Sequence, residues 1–113
     1  IKPQENGNKT DVRWATLTNN EGLGILVQSE GKNLSMSAHH YSLENLTNAL
    51  HTYDVKNEGD ITLNIDHKQM GVGGDDSWHP RVHPEYLLRE KFYSYSFIIR
   101  PIDLKEKELN EYL

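Results

Sequence analysis

The hydrophobic pattern of this chain has a period of two over most of its length. Apolar and polar positions alternate in five runs, at residues 12–17, 23–27, 34–39, 61–66 and 92–99. Such alternation is typical of strands that have one buried face and one wetter face. The pattern therefore predicts five strands and an all-β fold with few helices.

The segments between the runs have the composition of turns. Residues 19–22 (Asn-Asn-Glu-Gly) separate the first two runs, and residues 30–32 (Glu-Gly-Lys) separate the second from the third. The gap at 30–32 is short enough to predict a hairpin. Short links favour antiparallel pairing, because a parallel crossover needs a dozen or more residues. We therefore predict an antiparallel β-sandwich, or part of a larger one, and expect Trp14 in its core.

Two segments have helical features. Ser42 can cap a short helix near 42–50, where Leu43, Leu46, Ala49 and Leu50 recur at helical spacing. At the other end, Asp103 with Glu106 resembles a capping box. The sequence thus predicts a sandwich portion over 1–103 and a helical or frayed tail over 104–113.

Composition excludes several classes of function. The 17 acidic and 12 basic residues give a net charge of −5, and no basic cluster suits nucleic acid. No apolar run reaches the roughly 20 residues of a membrane helix. The absence of cysteine excludes disulfides and thiolate zinc sites. Only 35% of the residues are apolar and the first is Ile, so we expect a piece of a longer protein.

The most informative segment is 61–80, where a predicted strand leads into a glycine-rich loop. Gly71, Gly73 and Gly74 permit positive φ angles or a close backbone approach. A nucleotide loop does not fit, because no Gly-Lys-Ser/Thr follows and Pro80 and Pro84 oppose a helix.

Metal binding is a second interpretation of the same segment. Its potential ligands are close in sequence: His67, Asp75, Asp76, His79 and His83. Their spacing is not that of an EF-hand. We therefore favour a structural interpretation, in which the two aspartates bond loop amides and His79 and His83 are solvated. No Asp/Glu pair stands out as a catalytic pair either, since solvated charge explains each one.

Trp78 is harder to explain as a loop residue. An indole in a polar loop is costly to expose unless it covers something, and it packs well against the apolar C–H face of a sugar. The alternative is that Trp78 fills the edge of the sandwich.

The run from Leu63 to Pro80, LNIDHKQMGVGGDDSWHP, resembles the C-terminal domain of family 2 β-galactosidases. The segments PQENG at 3–7 and TDVRW at 10–14 and the aromatic strand at 92–99 fit the same family, so the resemblance covers about residues 3–101. It implies a large β-sandwich of which this chain is the C-terminal portion. It also implies an activity, the retaining hydrolysis of terminal β-galactosides such as lactose.

The resemblance also implies a division of labour. The catalytic glutamates and the magnesium ligands of the family lie upstream, so we expect no cofactor in this portion and no activity from it alone. Trp78 matches a family residue that contacts the sugar, particularly at the aglycone subsite. Gly73, Gly74, Asp75 and Asp76 match the motif as residues that shape the loop.

The expected partners are the upstream domains of the same chain and a β-galactoside substrate, with a homo-oligomer for the full-length enzyme. Nucleic acid and membrane are not expected. In a bacterium the compartment would be the cytoplasm or the periplasm. Two other functions stay open, a stand-alone carbohydrate-binding sandwich and a structural or assembly domain.

Overall fold

Two three-stranded antiparallel sheets form the molecule. A computed structural model describes residues 6–76 and 78–113. The strands are β1 (Lys9–Val12), β2 (Trp14–Thr18), β3 (Leu23–Glu30), β4 (Leu34–His39), β5 (Thr62–Asp66) and β6 (Ser96–Asp103). The first sheet has the order β1-β4-β5 and the second has the order β2-β3-β6. The prediction of an all-β, antiparallel sandwich fold is confirmed.

The core lies between the two sheets. Val27 of β3 meets Leu34 and Met36 of β4, and smaller contributions come from Val12, Ala15, Ile25, Leu63 and Ile65. These residues occupy alternate positions of their strands, as a buried sheet face requires. Burying each large aliphatic side chain contributes about 1.5–3 kcal/mol. Leu26 and Ile102, on the other face of the second sheet, are also buried.

The chain changes sheets three times, at two short corners and along the loop between β5 and β6. The first follows Val12, so the run predicted as one strand over 12–17 is divided between β1 and β2. Asp11, just before this corner, has a positive φ of 55°. The second corner is at 31–33, and the hairpin predicted there is wrong, because β3 and β4 lie in different sheets. Strands that switch sheets at a bend are a known way to build the corners of a sandwich.

Trp14 is not in the core, contrary to expectation. In the β2–β3 register Ala15 pairs with Val27, which faces inward, whereas Trp14 pairs with Gln28 on the opposite face. Its side chain is 42% exposed. Alternation therefore identified the strand correctly, but the face that packs against the first sheet is the one that carries Ala15.

The predicted helix near 42–50 is confirmed as α1 (Leu43–Asn48). Ser42 caps it by accepting a hydrogen bond from the backbone N–H of Asn45, at 3.2 Å. The backbone N–H of Ser42 in turn donates to Glu58 Oε2 at 2.5 Å. This bond is the main reason that the pKa of the Glu58 carboxyl lies below its usual range. Single 3₁₀ turns follow elsewhere, at Thr52–Asp54, Pro84–Tyr86 and Leu109–Glu111.

The last strand is displaced from its predicted position. The aromatic run indicated 92–99, whereas β6 begins at Ser96 and continues to Asp103. The tail after it does not form the predicted helix. It contains a turn and the 3₁₀ turn Leu109–Glu111. Asp103 Oδ1 accepts a hydrogen bond from the N–H of Lys105, and the expected box with Glu106 does not form. The carbonyl oxygen of Asp103 accepts hydrogen bonds from the N–H groups of Glu106 at 3.2 Å and Lys107 at 3.1 Å, but the turn that these bonds begin does not continue as a helix.

The tail covers the end of the outer edge of β6. The Tyr112 hydroxyl accepts from the N–H of Asp103 at 3.0 Å and donates to its carbonyl oxygen at 3.1 Å. Because backbone groups alternate in direction along a strand, those of Phe97, Ile99 and Pro101 point to the same edge. Pro101 has no N–H, and the N–H of Asp103 is bonded to Tyr112. The amide donors that remain on this edge are therefore those of Phe97 and Ile99, in the first half of the strand.

Candidate functional site

The candidate site is the loop 67–83, which follows β5. Gly71 and Gly73 have positive φ angles of 85° and 83°, a region that side chains other than glycine rarely adopt. A Cβ added at Gly73 would lie 2.1 Å from Tyr86 Cδ2. The Tyr86 ring therefore rests against bare backbone, and both the dihedral angle and the packing require glycine at position 73.

Asp76 organises the turn that carries the tryptophan. Its Oδ1 accepts hydrogen bonds from the backbone N–H groups of Trp78 at 3.1 Å and His79 at 2.8 Å. Its Oδ2 lies 2.9 Å from His79 Nδ1. The bond from the His79 side chain, followed by those from the two N–H groups, lowers the pKa of the Asp76 carboxyl below its usual range. A carboxylate with three donors is thus kept ionised.

His83 fastens the far end of the loop to its beginning. Its backbone N–H donates to the carbonyl oxygen of Gly73 at 3.1 Å, and its Nε2 lies 2.7 Å from Asp75 Oδ1. A Cβ added at Gly74 would lie 2.9 Å from the carbonyl oxygen of Arg81, so the two chain segments also touch there. Residues 73–83 therefore form a closed loop.

Trp78 lies within this closed loop and is 81% exposed. Its indole is thus not part of the hydrophobic interior, and its faces are available for contact. A cavity of about 190 Å³ in the same loop is lined by Asp75, Asp76, His79 and Arg81. An exposed indole can form one wall of a binding site, but a site that encloses a ligand needs further walls.

The possible metal ligands in the described part of the chain meet in pairs and not in a larger group. Within 6–76 and 78–113, no group of three or more His, Asp or Glu side chains is placed to hold a metal ion. His67, the first of the candidate ligands, stacks on Tyr95 at a centroid distance of 5.4 Å instead. A search of the same residues finds no helix long and apolar enough to cross a membrane.

Sequence reasoning missed the roles of two residues in the loop. His79 and His83 were expected to be solvated; both are exposed, but each also bonds to an aspartate. Tyr86 was not singled out at all. The glycine at position 73 was the only sign of this contact in the sequence, because close packing of another side chain is one reason for a residue without Cβ. Which ring lies there depends on the path of the loop.

Comparisons with known proteins assign the chain to a family. Residues 1–99 match the family model described as β-galactosidase small chain. The β-galactosidase of Priestia megaterium is 42% identical over 103 residues, which are 90% of this chain and 10% of the relative. The β-galactosidase of Lactobacillus delbrueckii subsp. bulgaricus is 38% identical over 105 residues, 92% of this chain and 10% of the relative.

A third relative, β-galactosidase BgaC of Bifidobacterium adolescentis, is 43% identical over 90 residues, 78% of this chain and 9% of the relative. The chain thus spans about a tenth of the length of the relatives it matches. Because the family model covers 1–99 and several relatives exceed 30% identity over most of the chain, this protein belongs to the β-galactosidase small chain family.

Proposed function

We propose that this chain is a non-catalytic, C-terminal part of a β-galactosidase and that Trp78 forms one wall of its sugar site. The named relatives support the enzyme class, and the chain spans only about a tenth of their length. The reaction would be the retaining hydrolysis of terminal β-galactosides such as lactose. The upstream domains of the same enzyme would be its structural partners.

The exposure of Trp78 is the observation that carries the proposed role. An indole that is 81% exposed contributes little to the stability of the sandwich, yet the loop around it is fastened by several hydrogen bonds. Sugars present apolar C–H faces against which a flat aromatic ring packs well. A ring held at the surface by an ordered loop therefore suits contact with a galactoside or its aglycone.

The loop acids suit a structural role better than a catalytic one. Retaining glycosidases use two carboxyl groups about 5–5.5 Å apart, one as the nucleophile and one as the acid and base. Here Asp75 and Asp76 are each engaged by an imidazole, and Asp76 also accepts two backbone N–H groups. In this proposal the catalytic glutamates and magnesium lie in the upstream part of the enzyme. The chain itself supplies binding and orientation.

The substitution Trp78→Ala in the full-length enzyme tests this role. We expect a higher KM for lactose and altered transfer to acceptor sugars, because a wall of the aglycone subsite is removed. Steady-state kinetics and product analysis measure both effects. Tyr53→Ala is the matched control, since Tyr53 is an aromatic residue with 82% exposure on the 3₁₀ turn Thr52–Asp54. An unchanged KM together with an unchanged acceptor preference would overturn the assignment.

Calorimetry of the 113-residue chain with galactose and lactose discriminates between this function and a stand-alone carbohydrate-binding domain. A single indole wall is not expected to bind a sugar measurably, because enclosed sites bury most of a ligand. Saturable binding by the chain alone would favour the carbohydrate-binding domain. Sedimentation of the parent enzyme with and without this chain tests an assembly role: loss of the oligomer with unchanged substrate affinity would favour it.

A further inference from the structure

Contacts within the loop determine where Trp78 lies relative to the sandwich. The side chain is 81% exposed, so packing against the sandwich does not fix it. Its own N–H is held by Asp76, but that bond joins residues two positions apart. A local turn of this kind moves as a unit when the chain on either side of it moves. The orientation of Trp78 relative to the sandwich must therefore come from the ends of the loop.

His83 makes the contacts that join those ends. Its N–H binds the carbonyl oxygen of Gly73, and its Nε2 binds Asp75 at 2.7 Å. Its own carbonyl oxygen accepts a hydrogen bond from the N–H of Tyr86 at 2.9 Å. The Tyr86 ring in turn rests on Gly73, where a Cβ would meet it. His83 is thus the residue through which both ends of the loop are fixed to each other.

We propose that His83 is a positioning residue for Trp78 and acts through its hydrogen bond to Asp75. This role rests on the proposed function, since it presupposes that Trp78 contacts the substrate. Closing a loop lowers the number of conformations that its backbone samples, so the residue that carries the indole is held near one position before the substrate arrives. A displacement of about 1 Å in a positioning group can cost far more binding than its own contacts provide.

A double-mutant cycle in the full-length β-galactosidase tests this role. The cycle compares the wild type, His83→Ala, Trp78→Ala and the double variant, with p-nitrophenyl β-galactoside and lactose as substrates. We expect His83→Ala to raise KM about two- to tenfold, the range that one net hydrogen bond supplies, with kcat nearly unchanged. In the Trp78→Ala background the same substitution should leave KM unchanged, because the residue that it positions is gone.

Two further variants guard against a general loss of folding. Asp75→Ala removes the same side-chain hydrogen bond by truncating its other partner. It should likewise raise KM when Trp78 is present and leave KM unchanged in the Trp78→Ala background. His83→Gln keeps a side-chain donor and should restore part of the affinity. His40→Ala is the matched control, because His40 is an exposed histidine beyond β4 and outside the loop.

The outcomes separate this role from the proposed function. If Trp78→Ala raises KM but neither His83→Ala nor Asp75→Ala does, the positioning role is overturned and the proposed function stands. If His83→Ala raises KM equally in both backgrounds, His83 acts on structure in general and the positioning role is again overturned. If Trp78→Ala itself changes nothing, the proposed function fails, and the positioning role fails with it.

Discussion

The sandwich core and the loop around Trp78 are ordered by different forces. In the core, Val27 and Leu34 are 1% exposed and are held by packing on all sides. In the loop, residues 71–76 and 78–80 are exposed, and hydrogen bonds together with one ring contact at Gly73 define the path of the chain. One region is thus stabilised by the removal of apolar surface from water, and the other by directional polar contacts.

Because of this difference, the stability of the chain and the geometry of the candidate site depend on different residues. Buried apolar side chains each contribute kilocalories to the free energy of unfolding, whereas exposed polar contacts contribute little to it. Exposed contacts can nevertheless select one loop conformation from many. Substitutions in the core should therefore change the unfolding of the whole chain, and substitutions in the loop should change local measurements.

The largest effect is expected in the core, from Leu34→Ala. Truncation of this buried leucine should lower the free energy of unfolding by about 2–5 kcal/mol, because transfer energy is lost and a cavity remains. Urea denaturation of the 113-residue chain measures it. Leu50→Ala is the control, since Leu50 is 83% exposed and should change the value by less than about 0.5 kcal/mol. Equal effects of the two substitutions would contradict the core described here.

A smaller and more local effect is expected from Gly73→Ala. Gly71→Ala is a close control, because both glycines have a positive φ but only Gly73 has a neighbour that a Cβ would strike. Each substitution should introduce about 1–2 kcal/mol of backbone strain, and Gly73→Ala should add the clash with Tyr86. Amide exchange of His83, whose N–H binds the Gly73 carbonyl oxygen, measures the opening of the loop.

Combining Gly73→Ala with Tyr86→Ala separates the two contributions. If the clash matters, removing the ring should bring the exchange rate of the His83 amide back toward that of Gly71→Ala. If the rate does not change when the ring is removed, the contact between Gly73 and Tyr86 does not hold the loop.

The smallest effect is a pH dependence of the turn at Trp78. The pKa of Asp76 is lowered in the folded loop, so the carboxylate stabilises the turn at a pH above its unfolded value of about 3.9. That contribution is lost as the pH falls through the lower, folded value. Trp78 fluorescence in a Trp14→Phe background should show a transition below about pH 3.9, and Asp76→Asn should abolish it. A transition that persists in Asp76→Asn would assign it to another group.

Much of the fold could be read from local pattern. The runs at 23–27, 34–39 and 61–66 correspond to β3, β4 and β5, and Ser42 caps α1 as its position suggested. These features depend on neighbouring residues only. Alternation with a period of two shows which side chains share a face, and a capping residue marks a helix start, wherever the rest of the chain lies.

The errors concern contacts between distant residues. A short link at 30–32 has the same composition whether it joins neighbours in one sheet or crosses to the other sheet. Trp14 is apolar, but its register with Gln28 places it on the face of the sheet opposite Val27. The tail over 104–113 was predicted to be helical or frayed, and that prediction did not include the contact of Tyr112 with the last residue of β6. In each case the partner is set by tertiary structure, which single-segment patterns do not encode.

The loop was predictable in its residues but not in its connections. Gly73, Gly74, Asp75, Asp76 and Trp78 were singled out from the motif alone. That His83 would bind Asp75, or that Tyr86 would lie on Gly73, depends on how residues 79–86 return to the start of the loop. The roles of Trp78 and of the loop residues in sugar binding stay predictions that the kinetic experiments test.

Tyr112 has a consequence for how the sheet β2-β3-β6 can be extended. A foreign strand needs a continuous ladder of amides and carbonyls, and here Pro101 and the tyrosine hydroxyl interrupt that ladder after Ile99. A foreign strand can therefore pair with the outer edge of β6 along its first half only, which shortens any ladder that this edge can template.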